Sequence, residues 1–301
     1  MSDPEVHPLL VRLQTGRTEH WAVRTVDGDT PIEAGLDDLL RMPLAEARRI
    51  VEAANPPATH VGELLAPVQN QEVWAAGVTY ERSRDGRMEE STEASIYDRV
   101  YTAERPEVFF KATGPRVVGD GDAIGVRADS PWNAPEPELG LVINADGELF
   151  GYVIGNDASS RTIEGENPLY LPQAKVYERA CSLGPGIVPA WLVEPPFEIR
   201  LQVLRGDAIA YEGTTSTDRI TRTFEDLIDW LTAALDFPVG AVLLTGTGIV
   251  PDESFSLTAG DVVSIEVPGL GLLTNPVVAV GRDRSTDGTT DGTDDRREGD
   301  R

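Results

Sequence analysis

Residues 136–157 read EPELGLVINADGELFGYVIGND, with apolar runs at 138–144 and 148–155 on either side of Asp146-Gly147. Asp-Gly between apolar runs is the strongest short hairpin signal, because both residues tolerate the backbone angles of a tight turn. The stretch predicts an antiparallel hairpin. A two-residue turn at Asp146-Gly147 sets Ala145 opposite Glu148, so that paired numbers sum to 293. Glu138 then faces Gly155, and Glu136 faces Asp157. Side chains two apart share a strand face, so three carboxylates converge. Gly155, lacking a side chain, is expected to leave room for a ligand. Pro135 and Pro137 cannot donate ladder hydrogen bonds, and the pairing is expected to fray there.

Outward from the hairpin, strands dominate. Candidates are 8–13 and 19–25, 107–111, 198–204 and 208–212, 241–245, 261–267 and 271–280. On a strand, Glu107 and Lys111 share one side. Helical spacing of Leu44, Ala47, Ile50, Val51 and Ala54 predicts a helix over 44–54, stopped by Asn55-Pro56-Pro57. A second helix fits 224–235, with Thr223 as its cap. Residues 81–104 are charged and helix-compatible, and read as a solvated surface helix before a mobile cover. No regular alternation of strand and helix appears, which argues for a β-rich α+β fold rather than a doubly wound sheet. Residues 1–70 form a small N-terminal domain and 71–281 the larger unit. The stretch 282–301 has no apolar residue and reads as a disordered acidic tail.

Composition removes several classes of function. The 301 residues carry a formal net charge of −25, against nucleic acid and anionic membrane surfaces as partners, since both need a basic patch. No apolar run approaches the ~20 residues of a membrane span, and the N-terminus lacks signal-peptide character. A cytoplasmic location follows. Such acidity repels itself unless salt screens it, which suits a salt-rich cytoplasm. Cys181 is the one cysteine, so no disulfide or thiolate cluster forms within the chain. Lys111 and Lys175 are the two lysines among 26 basic residues. A chain that has dropped lysine elsewhere keeps these for local reasons. His7, His20 and His60 all precede the acidic motif.

Three carboxylates on one face repel and need a proton, a basic partner or a cation. All-oxygen ligation without histidine or cysteine suits a hard cation, Mg²⁺ first, then Mn²⁺ or Ca²⁺. A salt-bridged cluster in an acidic protein is the plainer alternative. Arg161 follows four residues after Asp157 and suits binding of a carboxylate by its planar fork. Glu164 comes next, and then Lys175 amid uncharged residues, where partial burial would suit it to proton transfer.

Glu136-x-Glu138, Gly155-Asn156-Asp157-x-x-x-Arg161 and Lys175 resemble the fumarylacetoacetate hydrolase family. Gly77-Val78-Thr79-Tyr80, Phe110-Lys111 and Thr245-Gly246-Thr247-Gly248 fit the same pattern, over roughly 71–280 and in order. The resemblance implies a β-roll or barrel-like catalytic domain, a divalent metal on Glu136, Glu138 and Asp157, and a bound 2-oxo acid. It also implies a dimer or tetramer, with Tyr80 and Thr247 as substrate contacts. Hydrolytic members carry a histidine shortly after the Gly-x-x-Tyr segment. Here the tract is Tyr80-Glu81-Arg82-Ser83-Arg84, which turns the expectation from C–C hydrolysis towards elimination.

Within the family, the run from Asn156 to Lys175 looks most like archaeal enzymes that dehydrate 2-keto-3-deoxypentonates (xylonate or arabinonate) to 2,5-dioxopentanoate. Lys175 and Glu164 are the expected proton-transfer groups, with Glu107 as a third. Arg161 and Lys111 are expected to orient anionic oxygens of a small 2-oxo sugar acid. The alternatives are an acylpyruvate hydrolase or oxaloacetate decarboxylase of the same family, or a non-catalytic metal- or ligand-binding protein.

Overall fold

The computed structural model describes residues 7–54, 62–83 and 94–282. The expected helix stop at 55–57, residues 84–93 of the charged 81–104 segment and the tail beyond residue 282 lie outside the described residues. Seventeen strands and six short α-helices are described, with four single-turn 3-10 helices between them. The first three strands form a meander: β1 (Leu9–Thr15), β2 (Thr18–Thr25) and β3 (Gly28–Ile32). Two helices follow, α1 (Leu36–Arg41) and α2 (Leu44–Glu52), then β4 (Glu63–Leu65), β5 (Glu72–Gly77), α3 (Ala94–Thr102) and β6 (Glu107–Thr113).

The centre of the chain holds β7 (Ile124–Arg127), β8 (Asn133–Ala134), β9 (Pro137–Ile143), β10 (Leu149–Asp157) and β11 (Ser159–Ser160). Helices α4 (Arg161–Glu166) and α5 (Leu171–Lys175) lead into β12 (Cys181–Pro189). Next come β13 (Glu198–Arg205), β14 (Ala208–Ser216), α6 (Phe224–Thr232), β15 (Ala241–Leu244), β16 (Asp261–Val267) and β17 (Gly271–Val280). This is the β-rich α+β class the sequence predicts.

A ten-stranded sheet runs β3-β2-β1-β12-β10-β9-β15-β5-β6, with β4 also paired to β1. A five-stranded sheet runs β14-β13-β16-β17-β7. One face of the β9–β10 hairpin (Leu139, Leu141, Ile143, Tyr152, Ile154) packs with Ile199, Leu201, Val203 and Ile265 of the second sheet. Its other face (Val142, Val153) joins a cluster with Leu36, Leu39, Leu40 and Val51 of α1 and α2. Burial on both faces explains why β9 is apolar from Leu139 to Ile143 rather than alternating. The expected boundary near residue 70 falls between β4 and β5. The N-terminal strands extend the same large sheet, through Leu10 opposite Ile187.

The hairpin forms, but not by the predicted turn. Asn144 N donates to Glu148 O (2.9 Å) and Gly147 N to Asn144 O (3.1 Å), with Gly147 at φ 78°. The loop therefore has three residues, 145–147, and its first pairs lie one number lower than predicted: Leu149 faces Ile143. An extra residue at Phe150 then restores the register, so Gly155 faces Glu138 and Asn156 faces Pro137. Loop and bulge cancel. The expected fraying at the prolines is also offset, because Asp157 N still donates to Glu136 O (2.9 Å).

β12, the strand beside β10, reads CSLGPGIVP, and its two glycines and two prolines give no strand signal in isolation. A Cβ on Gly186 would stand 2.9 Å from Leu10 O, so the small residue permits close approach of β1.

Candidate metal centre and active site

The hairpin end carries the site. Ligand atoms of Glu136, Glu138 and Asp157 lie within 4.8 Å of one another, and all three residues are buried. Glu136 and Glu138 are aimed by uncharged donors. Ser159 Oγ donates to Glu136 Oε1 (2.7 Å), and Asn156 Oδ1 accepts from Glu136 N (3.0 Å). Gly246 N donates to Glu138 Oε2 (2.7 Å). That amide is presented by a tight loop in which Gly246 has φ +90° and Thr79 Oγ1 donates to Thr245 O (2.7 Å). Val78, across the same loop, holds φ 54°, a strained value for a β-branched residue and one that collects at functional sites.

Basic groups surround two of the carboxylates. Lys175 Nζ lies 2.6 Å from Glu136 Oε2 and 2.8 Å from Asp157 Oδ2. Lys111 Nζ lies 2.5 Å from Asp157 Oδ1. Arg161 Nη1 lies 3.1 Å from Glu136 Oε1 and 3.6 Å from Glu164 Oε2. Among the described residues no lysine or arginine lies within ion-pair distance of Glu138. Burial, then the charges of Asp157 and Glu136, hold its carboxyl well above the usual carboxylate range, against the pull of Lys175 and the Gly246 amide. A dense, all-oxygen, buried carboxylate set with one member out of ion-pair reach of any described lysine or arginine fits a small hard dication. Cys181 pairs with Asp157 across the β10–β12 ladder, and burial pushes its thiol up to about 12.

A cavity opens on this cluster. Glu107, Arg161, Glu164, Lys175 and Thr247 line it beside the three carboxylates, with Phe109 and Leu171 as apolar wall. The Lys175 ammonium sits 5.5 Å from the Phe109 ring. Glu107 packs against Gly77, where an added Cβ would lie 2.0 Å from Glu107 Oε2. Arg161 and Glu164 arrive together on α4, whose N-cap Ser160 accepts from Ile163 N.

Two predicted contacts stand elsewhere. Lys111 does not line the cavity but lies behind Asp157. One register shift of β6 against β5 falls at Lys111, between the pairs Ala112–Val73 and Phe110–Trp74. The simple shared-side argument for Glu107 and Lys111 therefore does not describe this strand. Tyr80 packs on Gly248 and lines a neighbouring cavity of about 520 Å³ with Arg219 and Thr215. Gly155 does not make room for a ligand either. A Cβ there would meet Leu244 at 2.4 Å and Leu183 at 3.1 Å, so its space belongs to the core. Sequence reasoning missed Ser159, Asn156, Val78 and the donor role of Gly246. Asn156 and Ser159 flank Asp157 in the motif, which was their available signal.

Residues 73–278 match the family described as Fumarylacetoacetate (FAA) hydrolase C-terminal. The chain belongs to the fumarylacetoacetate hydrolase family. It is 51% identical over 216 residues to the probable 2-keto-3-deoxyxylonate dehydratase of Haloferax volcanii, covering 71% of this chain and 74% of that one. Identity to the 2-dehydro-3-deoxy-D-arabinonate dehydratase of Saccharolobus solfataricus is 42% over 220 residues, again 71% and 74% of the two chains. A solved structure of 2-keto-3-deoxy-D-arabinonate dehydratase complexed with magnesium and 2,5-dioxopentanoate superposes with a TM-score of 0.81. That match has 31% identity and covers 91% of this chain and 99% of that one.

Proposed function

We propose that the chain is a Mg²⁺-dependent dehydratase that converts a 2-keto-3-deoxypentonate to 2,5-dioxopentanoate. The observation that carries the reading is the buried cluster of Glu136, Glu138 and Asp157 with Lys175 among its oxygens. The similarity to two dehydratases of this substrate class, and to a solved dehydratase complexed with magnesium and 2,5-dioxopentanoate, supports it. Glu136, Glu138 and Asp157 would hold the ion. Bound there, Mg²⁺ supplies a Lewis acid for the carboxylate and keto oxygens of a 2-oxo acid.

The residues divide the remaining work. Lys175, Glu164 and Glu107 are the cavity groups able to take the C3 proton and to return a proton to the departing C4 hydroxyl, which leaves as water. Loss of a C5 proton and reprotonation of the carbon chain then give the C5 aldehyde. Acid and base steps of this kind are each worth about 10²–10⁴-fold. Arg161 neutralises Glu136 and stands ready for an anionic oxygen, and Thr247 offers a hydroxyl at the cavity wall. The free space is about 20 Å³, room for about one water, so a five-carbon acid enters only as side chains give way. Lys175 is the group to move. Lys175→Ala is expected to abolish turnover while Mg²⁺ and substrate still bind, read by calorimetry alongside semialdehyde formation.

The direct test incubates the protein with Mg²⁺ and 2-keto-3-deoxyxylonate, 2-keto-3-deoxyarabinonate, oxaloacetate or acetylpyruvate, with and without EDTA. Semialdehyde from a deoxypentonate, lost with EDTA, is the expected result. CO₂ from oxaloacetate alone, cleavage of acetylpyruvate alone, or metal binding without turnover would each replace this reading. The acidic composition supports work in a salt-rich cytoplasm, and the family resemblance supports a homo-oligomer, dimer or tetramer. Among the described residues no helix is long and apolar enough to cross a membrane.

A further inference from the structure

The two lysines sit on the two oxygens of one carboxylate. Lys175 takes Asp157 Oδ2 from the cavity side. Lys111 takes Oδ1 and also donates to Ala158 O (2.9 Å) and Lys175 O (2.7 Å). Two of the ammonium's N–H donors are thus held by backbone carbonyls, and the charge itself lies against Oδ1 at ion-pair distance. The Lys111 side chain is fully buried and is absent from the cavity lining, so no substrate oxygen in the cavity meets it. Its acceptors come from the end of β10, the residue after it and the last residue of α5. A planar guanidinium forks towards acceptors in its own plane, whereas an ammonium reaches three that converge on one point. That accounts for a lysine here in a chain whose other basic residues, Lys175 apart, are arginines.

We infer that Lys111 is a positioning residue for the metal centre rather than a substrate contact. It holds Asp157 by Oδ1, which leaves Oδ2 on the Lys175 side, and it tethers the backbone carbonyl of Lys175, which sets where that side chain begins. Lys111 is thus the permanent counter-ion of the cluster, and Lys175 is left as the cation that moves. The inference rests on the metal-site reading proposed above.

The test compares the full chain with Lys111→Met and Lys111→Arg. Mg²⁺ is titrated calorimetrically into EDTA-stripped, desalted protein, and kcat and KM are measured at saturating Mg²⁺. Lys111→Met is expected to weaken Mg²⁺ binding by about 10–100-fold, the range for outer partners of metal ligands. Its kcat falls at saturating Mg²⁺ while KM moves little. Lys111→Arg keeps the charge and is expected to show the same pattern at smaller size, and it carries the test if Lys111→Met does not fold. A folded variant with unchanged Mg²⁺ affinity and kcat overturns the inference. So does a raised KM with unchanged Mg²⁺ affinity, which would make Lys111 a substrate contact. Failure of the parent chain to bind Mg²⁺ at all would instead overturn the metal-site reading, and is read in the same titration before any variant is made.

Discussion

Glu138 shows how one residue is governed by what surrounds it. It is buried, it faces two other carboxylates, and its partner is a backbone amide rather than a cation. Its folded-state pKa is raised above its unfolded value. The stability it contributes is therefore present in full below the unfolded value and is lost as pH rises through the folded one. Glu138→Gln keeps an acceptor for Gly246 N and removes the charge. Without metal, this variant is expected to lose less stability than the parent over that rise, with a melting temperature higher by about a few degrees. Mg²⁺ is expected to raise its melting temperature far less than it raises that of the parent. Thermal melts in EDTA and in Mg²⁺ across the pH range decide it, and identical pH slopes for the two proteins would refute it. Gly246 is constrained from the other side. A Cβ there would sit 2.2 Å from Thr79 Oγ1 and 2.9 Å from Ala76 O, at φ +90°. Gly246→Ala is expected to cost about 1–3 kcal/mol in strain and to weaken Mg²⁺ binding through Glu138, measured by melts and titration.

At the scale of elements, short pieces place the chemistry. Helix α4 is six residues long, too short to hold itself, and depends on its cap and its packing. Ser160 Oγ accepts from Ile163 N (3.3 Å) and donates to Ser130 Oγ (2.8 Å). Ser160→Ala is expected to cost about 1 kcal/mol and to lower kcat, because the cap fixes the turn that presents Arg161 and Glu164. Unchanged kcat beside lowered stability would separate the cap from the chemistry. The β9–β10 hairpin was legible because Asp-Gly and two apolar runs are local signals. Its three-residue loop and the bulge at Phe150 were not, because bulges answer to neighbouring strands. β12 was illegible for a related reason: Gly184, Pro185, Gly186 and Pro189 make a strand only where β1 and β10 flank it.

The whole molecule carries its charge as a load. With 51 acidic residues against 26 basic ones, exposed carboxylates repel at a range set by ionic strength. The screening length falls from about 10 Å at 0.1 M to about 3 Å at 1 M salt. The melting temperature is expected to rise across that range, with KCl and NaCl alike, and a flat response would mean that the acidic surface is not destabilising. The sequence alone determined the β-rich class, the hairpin, the convergence of Glu136, Glu138 and Asp157, and the interest of two lone lysines. Those properties follow from side-chain alternation along a strand and from composition, both written in one dimension. Only the tertiary structure decided that Lys111 stands behind Asp157 while Lys175 reaches the cavity, that Gly155 yields its space to Leu244, and that the Gly246 amide holds Glu138. Each of those is a contact between segments far apart in the chain, set by how β5, β6, β10 and β15 lie side by side. The hairpin brought the carboxylates together; the sheet around it determined which cation meets which oxygen.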